Sequence, residues 1–226
     1  MIKTVIFDAF DTLFQVEKGA SAKYIIDRIL QFGYTVDVAE FNKLWKEYYT
    51  EHTSADSIFK TEREIFTARI KMLYNKYGVS HDAAADAHML MEKSKNRCVF
   101  DDVIPTLENL KGICNIYIGS NTDNDVLEAV MQKNGITVDK IYTSENLRCY
   151  KPSAQFYNAI VNENGLLYNE VLFVGDSLTD DVLGPKNVKI KSCWLNREGK
   201  QRTEITPNYE IRSLTELTRI IGCNTL

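Results

Sequence analysis

Residues 15–104 contain no proline and only three glycines (Gly19, Gly33 and Gly78), although four prolines and eight more glycines follow. The interval separates the apolar run Thr4–Phe7 from the next run of the same kind. A connection of about 90 residues is too long for a plain loop inside a compact domain, so it has to fold as a unit. Its apolar residues return at the helical period: Ile25, Ile26, Ile29 and Leu30 share a face, as do Val38, Phe41, Trp45 and Tyr48. Phe66, Ile70, Leu73, Tyr74 and Tyr77 repeat the spacing, and a weaker Ala- and Met-rich helix is predicted over 82–95. The interval reads as a helical bundle inserted after a first strand.

The flanks read differently. Thr4–Phe7, 113–119, Val171–Gly175 and 189–195 are short β-branched runs bounded by Gly, Ser, Asn or Asp, the pattern of buried parallel strands. Helical segments 125–133, Ala154–Glu163 and 214–221 lie among them, the last opening on a capping box, Ser213-x-x-Glu216. Alternation of this kind predicts an α/β protein with a doubly wound, Rossmann-like parallel sheet and an all-α helical-bundle cap inserted into it. The expected division is 1–14 plus 101–226 for the core and 15–100 for the cap, which 226 residues accommodate. Ligands then belong at the carboxyl ends of the strands, under the cap.

Charge and cysteine usage narrow the partners. With 27 basic and 31 acidic residues there is no electrostatic footprint for nucleic acid or anionic lipid. Five cysteines, odd in number and without a C-x-x-C pair, argue against a disulfide framework or a zinc site and for a reducing compartment. Asp8 interrupts the first apolar run, and no stretch approaches the ~20 residues of a membrane helix. The expectation is a cytoplasmic monomer or homodimer acting on a small molecule, with neither a nucleic-acid nor a membrane partner.

Four segments fall at predicted strand ends or helix starts: Asp8 to Leu13, Ser120-Asn121, Lys151-Pro152, and Gly175-Asp176-Ser177 followed by Asp180 and Asp181. Singly each is ordinary turn or capping chemistry. Together they are coherent. Two carboxylates at adjacent strand ends, Asp8 and Asp176, repel unless a cation lies between them, and a hard, oxygen-liganded ion such as Mg²⁺ suits. A lysine and a serine hydroxyl beside them neutralise and bind a phosphoryl group. An unprotonated Asp so relieved is a competent nucleophile.

The ordered set Asp8-x-x-x-Thr12-Leu13, Ser120-Asn121, Lys151-Pro152 and Gly175-Asp176-Ser177-x-x-x-Asp181 resembles the haloacid dehalogenase superfamily, over nearly the whole chain. The insertion after the first motif resembles the subgroup with a small helical-bundle cap. The resemblance implies that Asp8 is nucleophile and metal ligand, that Phe10 lends its backbone carbonyl to the metal, and that Thr12 orients the nucleophile's loop and borders the substrate. It implies that Ser120 and Asn121 hold phosphoryl oxygens, that Lys151 neutralises nucleophile and substrate, and that Asp176 binds Mg²⁺. Asp181, with Asp180 as the alternative, stands behind the metal or reaches it through water.

One position departs from the pattern. Phosphatases of this superfamily carry a second Asp two residues after the nucleophile as acid and base, and here that residue is Phe10, which transfers no proton. Asp11 falls one residue late and is expected to point elsewhere as a turn residue. A positioned acid/base is worth about 10²–10⁴-fold in rate. Three readings follow. One is a Mg²⁺-dependent phosphatase that is slow, takes a good leaving group, or draws its acid from the cap. A second is a 2-haloacid dehalogenase-type hydrolase, against which the metal-type Gly175-Asp176-Ser177 argues. The third is a catalytically weak binding or regulatory member of the fold.

The remaining candidates have plainer explanations. His81 and His88, seven apart, read as solvated or partly packed, not as a metal pair. Cys149 reads as an inert apolar residue. The aromatics of the insertion read as its own core, with Tyr24 or Tyr48 able to line the pocket, and 196–202 reads as a surface loop.

Overall fold

The computed structural model describes residues 1–54, 57–201 and 204–222, so Arg202 and Cys223 lie outside the described residues. Six parallel strands form one sheet: β1 Thr4–Phe7, β2 Asn115–Ser120, β3 Lys140–Thr143, β4 Val171–Gly175, β5 Lys191–Leu195 and β6 Tyr209–Ile211. Their order is β3-β2-β1-β4-β5-β6, so the winding reverses at β1, where Phe7 stands level with Ile118 on one side and Val174 on the other. Crevices at such a reversal are where doubly wound sheets bind ligands. β3 and β6, absent from the sequence reading, extend the sheet at its two edges, and the first two residues of β3 are exposed.

Alternation along β1 divides the core. Val5 and Phe7 point to one face, into a cluster with Leu13, Ile118, Leu127, Leu172 and Val174. That face is covered by α5 (Val103–Leu110), α6 (Asn124–Asn134) and α10 (Leu217–Gly222). Ile6 points the other way, toward Phe156, Tyr157, Ile160 and Phe173, where α8 (Ala154–Glu163) packs. Burying each such side chain contributes about 1.5–3 kcal/mol. Two short helices, α7 (Ser144–Leu147) and α9 (Gly184–Asn187), complete the core.

Between β1 and α5 stand α1 (Ala20–Gln31), α2 (Val38–His52), α3 (Glu62–Tyr77) and α4 (Ala83–Ser94), with an apolar cluster of their own built on Ile25, Ile29, Phe41, Ile70, Leu73 and Leu90. α2, α3 and α4 have local reasons to start or stop where they do. Asp37 and Asp82 accept first-turn N–H groups, Thr61 and Glu64 form a capping box, and Gly78 ends α3 at φ 74°. Leu30 and Val38, expected on the apolar face, are instead about half exposed, because they lie at helix ends beyond the bundle's core. Asp86 is buried among the helices, accepts from Tyr24 Oη (2.9 Å) and Tyr74 Oη (2.5 Å), and has Arg28 Nε (3.2 Å) and His81 Nε2 (3.3 Å) beside its carboxylate. His81 therefore has a packing partner, while His88 is exposed.

The chain leaves and rejoins the core side by side. Phe14 bridges Val99 in an antiparallel pair, Gln15 N donates to Cys98 O (2.8 Å), and Phe100 N donates to Leu13 O (3.1 Å). Among the described residues no helix is long and apolar enough to cross a membrane.

Candidate active site

Strand register delivers the first charges. Asp8 follows β1, Ser120 ends β2 and Asp176 follows β4, three neighbours at one end of the sheet. Lys151 arrives from the loop between α7 and α8, next to a cis Lys151–Pro152 bond. Its ammonium donates to Asp8 Oδ1 (2.8 Å) and Asp181 Oδ1 (2.7 Å), and Ser120 Oγ donates to Asp8 Oδ1 (3.2 Å). Asp8, Ser120, Lys151 and Asp181 are all buried. Burial alone would lower the ammonium, but Asp181 and Asp8 outweigh it and hold Lys151 above its ordinary value.

A π-helical turn over Leu178–Leu183 aims Asp181 back beneath the site, where Ser177 N also donates to its carboxylate (3.0 Å). A Cβ on Gly175 would overlap that carboxylate, so only glycine fits at the end of β4. Asp180 is only half-buried, and its backbone carbonyl accepts from Tyr157 Oη. Of the two aspartates considered from sequence, the structure brings Asp181 to Lys151.

Asp8, Asp176 and Asp181 each present a carboxylate oxygen within 4.8 Å of the other two. Burial, followed by Asp8 and Asp11, pushes the Asp176 carboxyl up to about 7. Burial also raises Asp181, against the pull of Lys151. Three close acids facing one ammonium are short of positive charge, and their all-oxygen donor set fits a hard divalent ion such as Mg²⁺.

Several residues sit differently from the expectation. Thr12, expected to border substrate, is fully buried, and its hydroxyl has no partner. Its carbonyl accepts from Arg197 Nη2 (3.0 Å), so the residue shapes the loop. Asn121, expected on phosphoryl oxygens, has its side chain engaged with the Lys151 backbone: Oδ1 accepts from Lys151 N (2.8 Å) and Nδ2 donates to Lys151 O (3.0 Å). Asp11 does adopt a turn conformation (φ 62°), yet its side chain does not turn away. With Lys18, Asp176, Arg197 and Lys200 it lines a cavity of about 130 Å³. The described part of the predicted loop, 196–201, is likewise more than surface, because Arg197 grips Asp102 through two bonds (2.8 and 2.9 Å) while holding the Thr12 carbonyl.

The facing wall comes from the insertion. Asp123, buried just past Ser120, accepts the N–H groups of Glu62 (2.7 Å) and Arg63 (3.0 Å) at the start of α3. Tyr150, next to Lys151, donates to Lys60 O (2.9 Å) and stacks on Phe59. Arg97 lies with its guanidinium 4.1 Å from the Phe10 ring centroid. Tyr49 Oη donates to Glu62 Oε1 (3.2 Å), and buried Arg69 lies 3.5 Å over the Trp45 ring. Tyr24 is drawn into the bundle by Asp86, and Tyr48 stacks on His52, so Tyr49 faces the core in their place. Cys149 is buried and its thiol pushed up to about 11 by burial, which leaves it unreactive. Tyr49, Glu62, Arg97, Asp123 and Tyr150 were not among the sequence candidates. Only the Asp123 position, three residues past Ser120, carried a local hint.

A family model described as haloacid dehalogenase-like hydrolase matches residues 2–189. YfnB of Bacillus subtilis is 26% identical over 97% of this chain and 95% of its own length. Its structure, described as bound to magnesium, superposes with a TM-score of 0.76 at 22% identity and covers 98% of this chain and 99% of that one. The pyrimidine 5′-nucleotidase PynA of Streptococcus pneumoniae is 24% identical over 99% of this chain and 97% of its own. (S)-2-haloacid dehalogenase 4A of Burkholderia cepacia is 23% identical over 99% and 96%.

Proposed function

The chain belongs to the haloacid dehalogenase-like hydrolases, and within that family we propose that it is a Mg²⁺-dependent phosphatase of small phosphorylated metabolites, with 15–100 serving as the cap over its site. The observation that carries the reading is the cluster of Asp8, Asp176 and Asp181 against Lys151. A 2-haloacid brings a carboxylate and expels halide without a proton, and three acids are a poor receptor for it. A phosphoryl group held with a divalent ion uses all of them. The likeness to PynA, named as a pyrimidine 5′-nucleotidase, supports the phosphate-ester side, and the magnesium described for YfnB supports the ion.

In this reading Asp8 Oδ attacks phosphorus while the ester P–O bond breaks, leaving an aspartyl phosphate and the oxyanion of the leaving group. Water then attacks phosphorus, the Asp8–phosphorus bond breaks, and inorganic phosphate departs. Lys151 holds Asp8 in place and balances the incoming charge, and Ser120 Oγ is placed to donate to a phosphoryl oxygen. Asp8, Asp176, the Phe10 carbonyl and Asp181, directly or through water, would hold Mg²⁺, which supplies further neutralisation of the phosphoryl oxygens. Asn121 keeps the Lys151 loop in register.

The test is hydrolysis of p-nitrophenyl phosphate with Mg²⁺, with and without a chelator, beside chloride release from 2-chloropropionate. Phosphate release that stops on chelation is expected. Metal-independent chloride release with no phosphate release would overturn the reading in favour of the dehalogenase.

A further inference from the structure

Phe10 leaves this reaction without the group that protonates the departing oxygen. In an in-line transfer the leaving group departs on the side of phosphorus opposite Asp8, hence away from the core and toward the inserted helices. Glu62, the first residue of α3, belongs to those inserted helices and is linked to neighbours of the strand-end segments. Its N–H is held by Asp123, just past Ser120. Its carboxyl accepts from Tyr49 Oη (3.2 Å), and Tyr49 in turn feels Asp180, beside Asp181. The same carboxyl acts on Tyr150, which adjoins Lys151, and on Arg97, whose guanidinium covers Phe10.

We propose that Glu62 supplies the proton transfer that Phe10 cannot, an inference that rests on the phosphatase reading above. As Asp8 bonds to phosphorus and the ester P–O bond breaks, the Glu62 carboxylic acid gives its proton to the departing oxygen, leaving an alcohol and a carboxylate. That carboxylate takes a proton from the water that attacks the aspartyl phosphate, which releases inorganic phosphate and restores the acid. The charged and titratable groups facing Glu62 are Asp123, Arg97, Arg69, Tyr49 and Tyr150. Burial and then Asp123 push its carboxyl up to about 7, against Arg97, Tyr49 and Arg69. Both protonation states are therefore populated near neutrality, as an acid that must become a base requires.

Paired substrates with different needs for protonation test this: p-nitrophenyl phosphate, whose leaving group departs as a stable anion, and butyl phosphate, whose leaving group does not. In Glu62→Gln, kcat/KM for butyl phosphate should fall about 10²–10⁴-fold, while the aryl ester loses less than about tenfold. In the wild type, kcat/KM for butyl phosphate should decline as pH rises through about 7, where the acid loses its proton, and the variant should lack that limb. Tyr49→Phe removes a hydrogen bond that favours the ionised carboxyl, so its limb should move to higher pH; this variant decides the matter if Glu62→Gln does not fold. Equal losses on both esters, an unmoved pH limb in Tyr49→Phe, or a wild type that cleaves only the aryl ester each overturn the role of Glu62 alone. A wild type that cleaves neither ester overturns the phosphatase reading and this inference with it.

Discussion

The two walls of the cleft are built to different standards. On the core side, Asp8, Ser120, Lys151 and Asp181 are buried and joined by hydrogen bonds of 2.7–3.2 Å; strand ends in a fixed parallel register deliver the first two, a loop and a π-helical turn the others. On the other side, Tyr49, Glu62 and Arg97 come from helices and a connecting segment, and the bundle reaches the core through a few contacts such as Asp123 with the start of α3 and Tyr150 with Lys60. On the phosphatase reading, the core wall has one arrangement and so one chemistry, indifferent to what the phosphoryl group was attached to. On the same reading the helical wall meets the leaving group, and its aromatic and half-buried polar side chains can differ without disturbing the charges beneath.

If that division is right, a change in the core wall should be blind to the leaving group. Asp8→Asn should cut turnover of aryl and alkyl phosphates alike by at least about 10⁴-fold in steady-state assays. Substantial turnover of either ester by this variant would move the nucleophile elsewhere. Lys151→Met should strand two buried carboxylates and cost about 3–5 kcal/mol in urea unfolding, far more than any single change in the helical wall. Phe10→Asp, made in the Glu62→Gln background, should return about tenfold of the lost alkyl phosphatase activity and little of the aryl. An equal gain on both esters would mean that the missing proton was never the difficulty. Asp123→Ala removes an acceptor from two N–H groups of α3 and should cost about 1 kcal/mol. Because it loosens the seating of the helices, it should raise KM more than it lowers kcat; a pure kcat effect would place Asp123 in the chemistry.

The same asymmetry governs what the sequence discloses. β1 is read to the residue because a β-branched Thr and three consecutive apolar residues end at a turn-forming Asp, and the charges at strand ends follow from the sheet that such runs must build. β3 and β6 escape because edge strands need no continuous apolar run and one of them has three residues. Arg197 looks like loop chemistry because its partner Asp102 is 95 positions away. Glu62 is an unremarked acid in a first helical turn beside a Thr61–Glu64 capping box, and nothing local says that the turn meets Asp123 and Tyr49. Asp11 misleads for a backbone reason: at φ 62° its side chain leaves the chain in a direction that spacing along an extended segment does not anticipate. The core wall is written in short motifs, while the helical wall depends on how helices with an apolar cluster of their own meet the sheet.

The bridge between Phe14 and Val99 has an evolutionary corollary. Antiparallel partners of this kind stand about 5 Å apart, so the entire four-helix segment hangs from adjacent cut points. Recombination that swaps it for any foreign module with similarly close termini leaves every strand of the sheet where it was. A lineage can thus sample new specificities as cassettes while its reactive machinery is inherited whole.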